Sequence, residues 1–295
     1  MTLLEKTKAT SAPDRKPLDE EIDVYGLTHR GKVRATNQDH FLICSLRKRV
    51  DVHLTSLPAI GGFPLDSQRI AFLAMVADGV GGSVRGEEAA RLAVEAVTQY
   101  VTHSMHCYYT ADATDDRAFS PALEEAALQC HAHLARQAES DPQRKGMATT
   151  LTLVLGVWPR VYLLQVGDSR YYLMRDTVLT QISRDQTMIQ ELIDQGVITR
   201  TDAYNSRWSN VLSSAIGGPQ TTPVVTAIDN TWDSVHLLCS DGLTRHVSDQ
   251  QIRDRLRTMV SARQACEALL QDALAEGGTD NITILVGRAV RQTEG

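Results

Sequence analysis

A chain of 295 residues, 42% hydrophobic and 22% charged, carries enough apolar material for one sizeable globular core. Its net charge of -6 and the lack of a long basic stripe speak against nucleic-acid binding, and no apolar run approaches the ~18 residues of a membrane span. The five scattered cysteines form no Cys-x-x-Cys and indicate reduced thiols in a cytoplasmic setting.

Residues 1–20 are polar, are broken by Pro13 and Pro17 and lack an apolar centre, so they read as a flexible leader and not a signal peptide. Ile22–Thr28 and His40–Cys44 are predicted strands, separated by a polar loop rich in basic side chains. Arg47–Gln68, with two prolines and two glycines, is expected to be a loop or hairpin excursion. A strand over Ile70–Ala77 follows, with Asp78 expected just past its end. The apolar spacing of Ala89, Leu92, Ala93, Ala96 and Val97 predicts a helix over Gly86–Met105. Cys107–Phe119 reads as a loop, and Ser120-Pro121 as the start of a helix over Ala122–Glu139.

Strands are predicted over Thr149–Val157, Val161–Val166 and Arg170–Met174, then a helix over Gln186–Gln195 ending at Gly196. Thr199–Gly218 is polar and irregular. Strands over Val224–Ile228 and Ser234–Cys239, helices over Gln250–Thr258 and Ala262–Ala275, and a strand over Ile282–Val290 complete the chain. Runs of each element type, without strict alternation, favour a single α+β layered domain.

Four acids share one setting. Asp78, Asp168 and Asp241 each follow an apolar strand, and Asp280 precedes one. Adjacent antiparallel strands put one strand's end beside its neighbour's start, so all four can share a rim. Four carboxylates on one rim repel unless cations sit among them, and oxygen-only clusters suit Mg²⁺ or Mn²⁺. Two such ions can activate a water toward phosphorus, and an Arg such as Arg34 can hold phosphoryl oxygens in a fork.

At these residues the chain resembles the metal-dependent protein serine/threonine phosphatases of type 2C, most closely their bacterial branch. The matching segments are Arg34–Asp39, Asp78–Gly82, Gly146–Thr150, Gly167–Arg170, Ser240–Leu243 and Asp280–Thr283, in the family's order. The resemblance implies a four-layer α-β-β-α sandwich with two central antiparallel sheets, a catalytic domain over 21–292 and a flap at about 187–218 that varies among members. It implies that Asp78 bridges two Mn²⁺ or Mg²⁺ ions, that the Gly79 carbonyl binds the second, and that Asp241 and Asp280 bind the first. Asp168, with Asp241, would hold a third, weaker ion. Arg34 would bind the substrate phosphate, while Gln38 and Asp39 would orient water. Phosphorylated proteins are the implied substrates, a serine/threonine kinase the implied counterpart, and a monomer the expected state.

Three positions depart from the family pattern. Val80 stands where the eukaryotic branch has a His proposed as general acid, Gln38 replaces a common Glu, and Gln186 follows Asp185 where His is frequent. Two other functions compete: a catalytically weak module that binds phosphorylated partners, and a phosphatase for small metabolites. Retention of all four acids favours the enzyme. His103, His106, His131 and His133 could form a zinc site only if two helices met, and the 131/133 spacing points to different faces. Cys239 reads as a buried strand residue, Ser169 and Ser240 as non-nucleophilic, and Trp158, Trp208 and Trp232 as packing residues, with substrate contact the alternative for Trp208 in the variable segment.

Overall fold

The computed structural model describes residues 15–49, 51–54, 67–80, 83–103, 115–199 and 211–291. Two sheets form, antiparallel throughout. One is ordered β1 (Ile22–His29), β11 (Ile282–Ala289), β10 (Val235–Cys239), β7 (Arg170–Arg175) and β8 (Val178–Gln181). The other is ordered β2 (Asp39–Lys48), β3 (Gln68–Val80), β5 (Leu151–Val157), β6 (Arg160–Val166) and β9 (Val224–Asp229), with the short β4 (Ala148–Thr149) paired to the end of β3.

Strand alternation makes the layers. In β3, Leu73 and Met75 face helices α1 (Ser83–His103) and α2 (Asp116–Ser140), while Ala74 and Val76 face the other sheet. In β10 and β11, Leu237, Cys239, Ile284 and Val286 pack under helices α5 (Asp249–Arg257) and α6 (Ala262–Ala275). Leu238 and Leu285 point the opposite way and meet Val161, Leu163 and Tyr171 between the sheets. The result is the four-layer α-β-β-α sandwich. Two short helices, α3 (Met188–Asp194) and α4 (Asp241–Thr244), lie at one end of it. Among the described residues, no helix is long and apolar enough to cross a membrane.

Several elements differ from expectation. β3 runs on to Val80, so Asp78 lies inside the strand, directly opposite Asp39 of β2. Helix α2 begins at Asp116, capped by the Asp115 carboxylate, which accepts from the Arg117 N–H at 3.1 Å. Phe119 of its first turn is buried against Tyr162 and anchors a start that the polar sequence conceals. β8 has no sequence signal because its turn residues, Asp176 and Thr177, take positive φ without the usual glycine. Of the leader, only residues 15–20 are described, and of these only Pro17 is buried. Arg15 pairs with the buried Glu21, and its carbonyl accepts from the Trp232 indole at 3.0 Å. Residues 1–14, most of the excursion before β3, and 200–210 of the flap lie outside the described residues.

Candidate active site

Five acids are carried to one end of the sandwich by different elements. Asp39 opens β2 and pairs in register with Asp78 of β3. Asp168 sits in the β6–β7 turn, Asp241 starts α4 directly after β10, and Asp280 occupies the turn before β11. A cavity of about 1050 Å³ is lined by Arg34, Gln38, Asp78, Gly79, Asp168, Asp241 and Asp280 together. Its other side is formed by described flap residues, including Met188 and 211–215.

The local backbone explains the placements. The Asp78 N–H donates to Thr150 Oγ1 at 3.0 Å, and its carbonyl accepts from the Thr150 N–H at 2.9 Å and Thr149 Oγ1 at 2.8 Å. Gly79 is required by packing: a Cβ there would stand 2.1 Å from the Gly86 carbonyl oxygen of α1. The glycine therefore admits the helix backbone, whereas the sequence suggested an uncrowded approach for a ligand. Gly242 has the same function, since its Cβ would meet the Asn281 carbonyl oxygen at 1.9 Å, and the glycine lets Asp241 and Asp280 come together. Asn281 in turn donates to the carbonyls of Arg30 and Thr36 and accepts from the Gln38 N–H, all at 2.9 Å. One amide thus fixes the loop that presents Arg34.

Electrostatics set the demands of the site. Burial, then the Asp39, Asp241 and Asp168 charges, holds the Asp78 carboxyl well above its ordinary range. Burial and Asp241 do the same to Asp168, and burial also raises Asp241. Asp39 is not on the cavity wall. It lies behind Asp78, 2% exposed, with Oδ2 accepting from Ser240 Oγ at 2.8 Å and Thr283 Oγ1 at 2.7 Å. Burial pushes its carboxyl up to about 7 despite those hydrogen bonds. Oδ1 of Asp39 and Oδ1 of Asp241 are buried with no hydrogen-bond partner.

Two guanidinium groups stand among the acids. Arg34 donates to Asp280 at 2.7 Å and keeps 49% of its side chain exposed toward the cavity. Arg245, at the end of α4, pairs with Asp241 and lies 3.5 Å from Asp280. Sequence reasoning missed Arg245, and its only signal was the i, i+4 spacing from Asp241. Among the described residues, no three His, Cys, Asp or Glu side chains converge as a ready-made metal cage. The acids nevertheless suit divalent cations. They are an oxygen-only set, they lack compensating charge for every carboxylate, and one buried Asp241 oxygen has no donor.

The protein phosphatase 2C family model matches residues 63–277. The chain belongs to that family. It is 35% identical over 220 residues to the serine/threonine protein phosphatase PstP of Mycobacterium tuberculosis, covering 75% of this chain and 41% of PstP. It thus spans less than half the length of that relative. The serine/threonine phosphatase stp of Listeria welshimeri is 32% identical over 216 residues, covering 72% of this chain and 83% of stp. The solved PstP catalytic domain in complex with two manganese ions superposes with a TM-score of 0.68 at 30% identity, covering 92% of this chain and 99% of that one.

As a family member, the chain fills its divergent positions with structural partners. The Gln186 side chain accepts from the Gly167 N–H at 2.8 Å and donates to the Thr222 carbonyl at 2.9 Å, which ties the Asp168 turn to the flap base. Val80 is 39% exposed at the cavity edge and brings no proton donor. Ser169 Oγ is buried against Thr150 Oγ1, and Ser240 Oγ serves Asp39. Burial pushes the Cys239 thiol up to about 12, so none of these three is a nucleophile. His103 and His133 do line a common groove between α1 and α2, but His131 turns to the Gly217 N–H and Thr221 hydroxyl. His106 and Trp208 lie outside the described residues.

Proposed function

We propose that this chain is a metal-dependent phosphatase that hydrolyses phosphoserine and phosphothreonine on proteins, with residues 21–292 as the catalytic unit. The observation that carries the reading is the single cavity in which Arg34 faces Asp78, Asp168, Asp241 and Asp280. Asp78, Asp241, Asp280 and the Gly79 carbonyl would hold two Mn²⁺ or Mg²⁺ ions, and Asp168 with Asp241 a weaker third. Bound there, such ions supply the positive charge that ionises a water nucleophile near neutral pH and shields phosphoryl oxygens.

The chain's own residues do the rest. Arg34, half exposed, offers two parallel N–H groups to a phosphate, exchanging its Asp280 partner for substrate oxygens. Gln38 on the cavity wall orients water. Asp39, paired in register with Asp78, is itself held by the Ser240 and Thr283 hydroxyls, and with Gln38 it would orient water. With Val80 in place of an acid, the leaving alkoxide takes its proton from solvent. No residue is positioned as a covalent phosphate carrier among those described. The breadth of the cavity suits a phosphorylated chain segment. A serine/threonine kinase is the corresponding partner and a monomer the expected state, and the free thiols of Cys44, Cys130, Cys239 and Cys266 accord with a cytoplasmic setting.

The test is phosphate release from a phosphothreonine peptide with and without Mn²⁺, for the wild type and Asp241→Asn. Metal-dependent turnover that Asp241→Asn abolishes is the expected result. A wild-type protein inactive with Mn²⁺ on several phosphopeptides and on an aryl phosphate sinks the reading. Faster turnover of free phosphate esters than of phosphoproteins would reassign the substrate.

A further inference from the structure

A second cavity, of about 140 Å³, lies between the two sheets at the opposite end of the sandwich. It is reached along the same strand faces. Phe72 and Ala74 line it, and Asp78 of the same β3 face lies six residues from Phe72, about 20 Å at the rise of a strand. The void arises from small residues where the rest of this layer has large ones. Leu238, Leu285 and Leu163 fill the middle, whereas Gly156 of β5 and Gly287 of β11 face the cavity.

Those two glycines are not forced by backbone crowding. A Cβ at Gly156 would meet nothing closer than Phe72 Cβ at 3.6 Å, and one at Gly287 nothing closer than Val24 Cγ2 at 3.5 Å. Both are ordinary contacts, in contrast to the 2.1 Å and 1.9 Å approaches at Gly79 and Gly242. Glycine inside a strand costs stability, so a space kept open by two of them without steric need is a space with a use.

The chemistry of the walls specifies an occupant. The lining is mostly apolar, and its polar wall group is already satisfied: His236 Nδ1 pairs with the Tyr171 hydroxyl at 2.7 Å and Nε2 with Asn230 Oδ1 at 3.1 Å. A dry apolar cavity of this size accepts about one aromatic ring. At the mouth, Arg69 and Arg288 have the carboxylates of Asp19 and Asp23, whereas the Lys16 ammonium donates to the Arg69 carbonyl and has no ion pair among the described residues, which leaves two of its donors for an anion. We propose that this cavity is a binding site for a small anionic amphiphile, with its ring or short alkyl body between Gly156 and Gly287 and its carboxylate at Lys16.

The test uses ¹⁹F NMR of 4-fluorobenzoate with the full chain in excess Mg²⁺. Millimolar binding is expected for the wild type. Gly287→Val and Gly156→Val, each filling the void from one sheet, should weaken it by at least about tenfold. Two variants are used so that misfolding of one, seen by circular dichroism, leaves the other informative. Lys16→Gln should weaken 4-fluorobenzoate several-fold and leave fluorobenzene unchanged, and saturating inorganic phosphate should displace nothing. The proposal is overturned if the wild type does not bind, if both folded glycine variants bind as well as it does, if Lys16→Gln has no effect, or if phosphate competes.

Discussion

The two ends of the inter-sheet layer are built from the same strand faces and oppose each other in every physical respect. At one end Asp39, Asp78, Ser240 and Thr283 continue the alternation that, at the other, presents Phe72, His236 and Gly287. The acid end crowds buried carboxylates around one large cavity, and its glycines are forced because a Cβ at Gly79 or Gly242 would stand within 2.1 Å or 1.9 Å of neighbouring backbone. The far end is apolar and loosely filled, and its glycines are unforced. Side-chain burial stabilises the middle and the far end, while the acid end stores repulsion that cations must relieve.

The largest test of that contrast is Asp241→Asn. Phosphatase activity should fall by orders of magnitude, because a shared ligand of the proposed ions is lost. The metal-free protein should keep or raise its thermal midpoint, since a buried carboxylate whose pKa burial already raises is replaced by a neutral amide. Mn²⁺ should stabilise the wild type by mass action and should do so far less in the variant. Differential scanning fluorimetry with chelator and with Mn²⁺ separates the two effects. A large loss of midpoint under chelator would show instead that the acid end is a net stabilising network.

Much of this end is legible in sequence, because Asp-Gly pairs after apolar runs are local signals, and the Asp78, Asp168, Asp241 and Asp280 motifs were each visible. What was not legible is what depends on distant approach. Asp78 was expected beyond its strand, yet β4 and Thr150 extend pairing past it. Asp39 is expected from its motif to orient water, but nothing local shows that cross-sheet hydroxyls from Ser240 and Thr283 hold it. Arg245 has only its i, i+4 spacing from Asp241 as a local signal, and Asn281, though inside the Asp280–Thr283 motif, gives no sign that its amide staples the Arg34 loop. The start of α2 failed for a different reason: its anchor, Phe119, finds Tyr162 only in the folded chain.

In the middle of the layer the comparison predicts ordinary hydrophobic behaviour. Leu285→Ala removes a side chain only 3% exposed and should cost about 2–5 kcal/mol in urea unfolding, with or without Mn²⁺. A loss that disappears on adding metal would tie this core to the acid end.

The two ends should also respond to pH with opposite signs. Burial raises Asp39 from its ordinary 3.8 to about 7, so its contribution to stability is complete below pH 3.8 and is lost as pH rises through about 7. Burial, then Arg175, lowers His236 from 6.5 to about 4, so its contribution is complete above pH 6.5 and is lost as pH falls through about 4. The two windows overlap, so between about pH 4 and 6.5 the two slopes oppose each other in urea unfolding of chelated protein. His236→Gln removes the rising contribution, so the variant should weaken relative to wild type by about 1–3 kcal/mol more at the upper end of that window than at the lower. Asp39→Asn removes the falling contribution and should shift the profile the other way. Both substitutions moving the profile in the same direction would mean that the two ends titrate as one unit.

The smallest effect serves as the control that makes the others interpretable. Ser261 caps α6, accepting from the Gln264 N–H at 3.1 Å, and the adjacent Ala262 N–H is held by both oxygens of Asp23, which also binds Arg288 at the rim of the far cavity. Ser261→Ala should cost about 1 kcal/mol, because one helix-end donor loses its acceptor while Asp23 still holds the next. That cost involves no charge at the acid end and should be the same with chelator, with Mn²⁺, and from pH 5 to 8 within about 0.5 kcal/mol. A cap whose worth changed with metal would mean that α6 transmits the state of the acids through β11 to the far end, and the two ends would then be coupled regions of one switch.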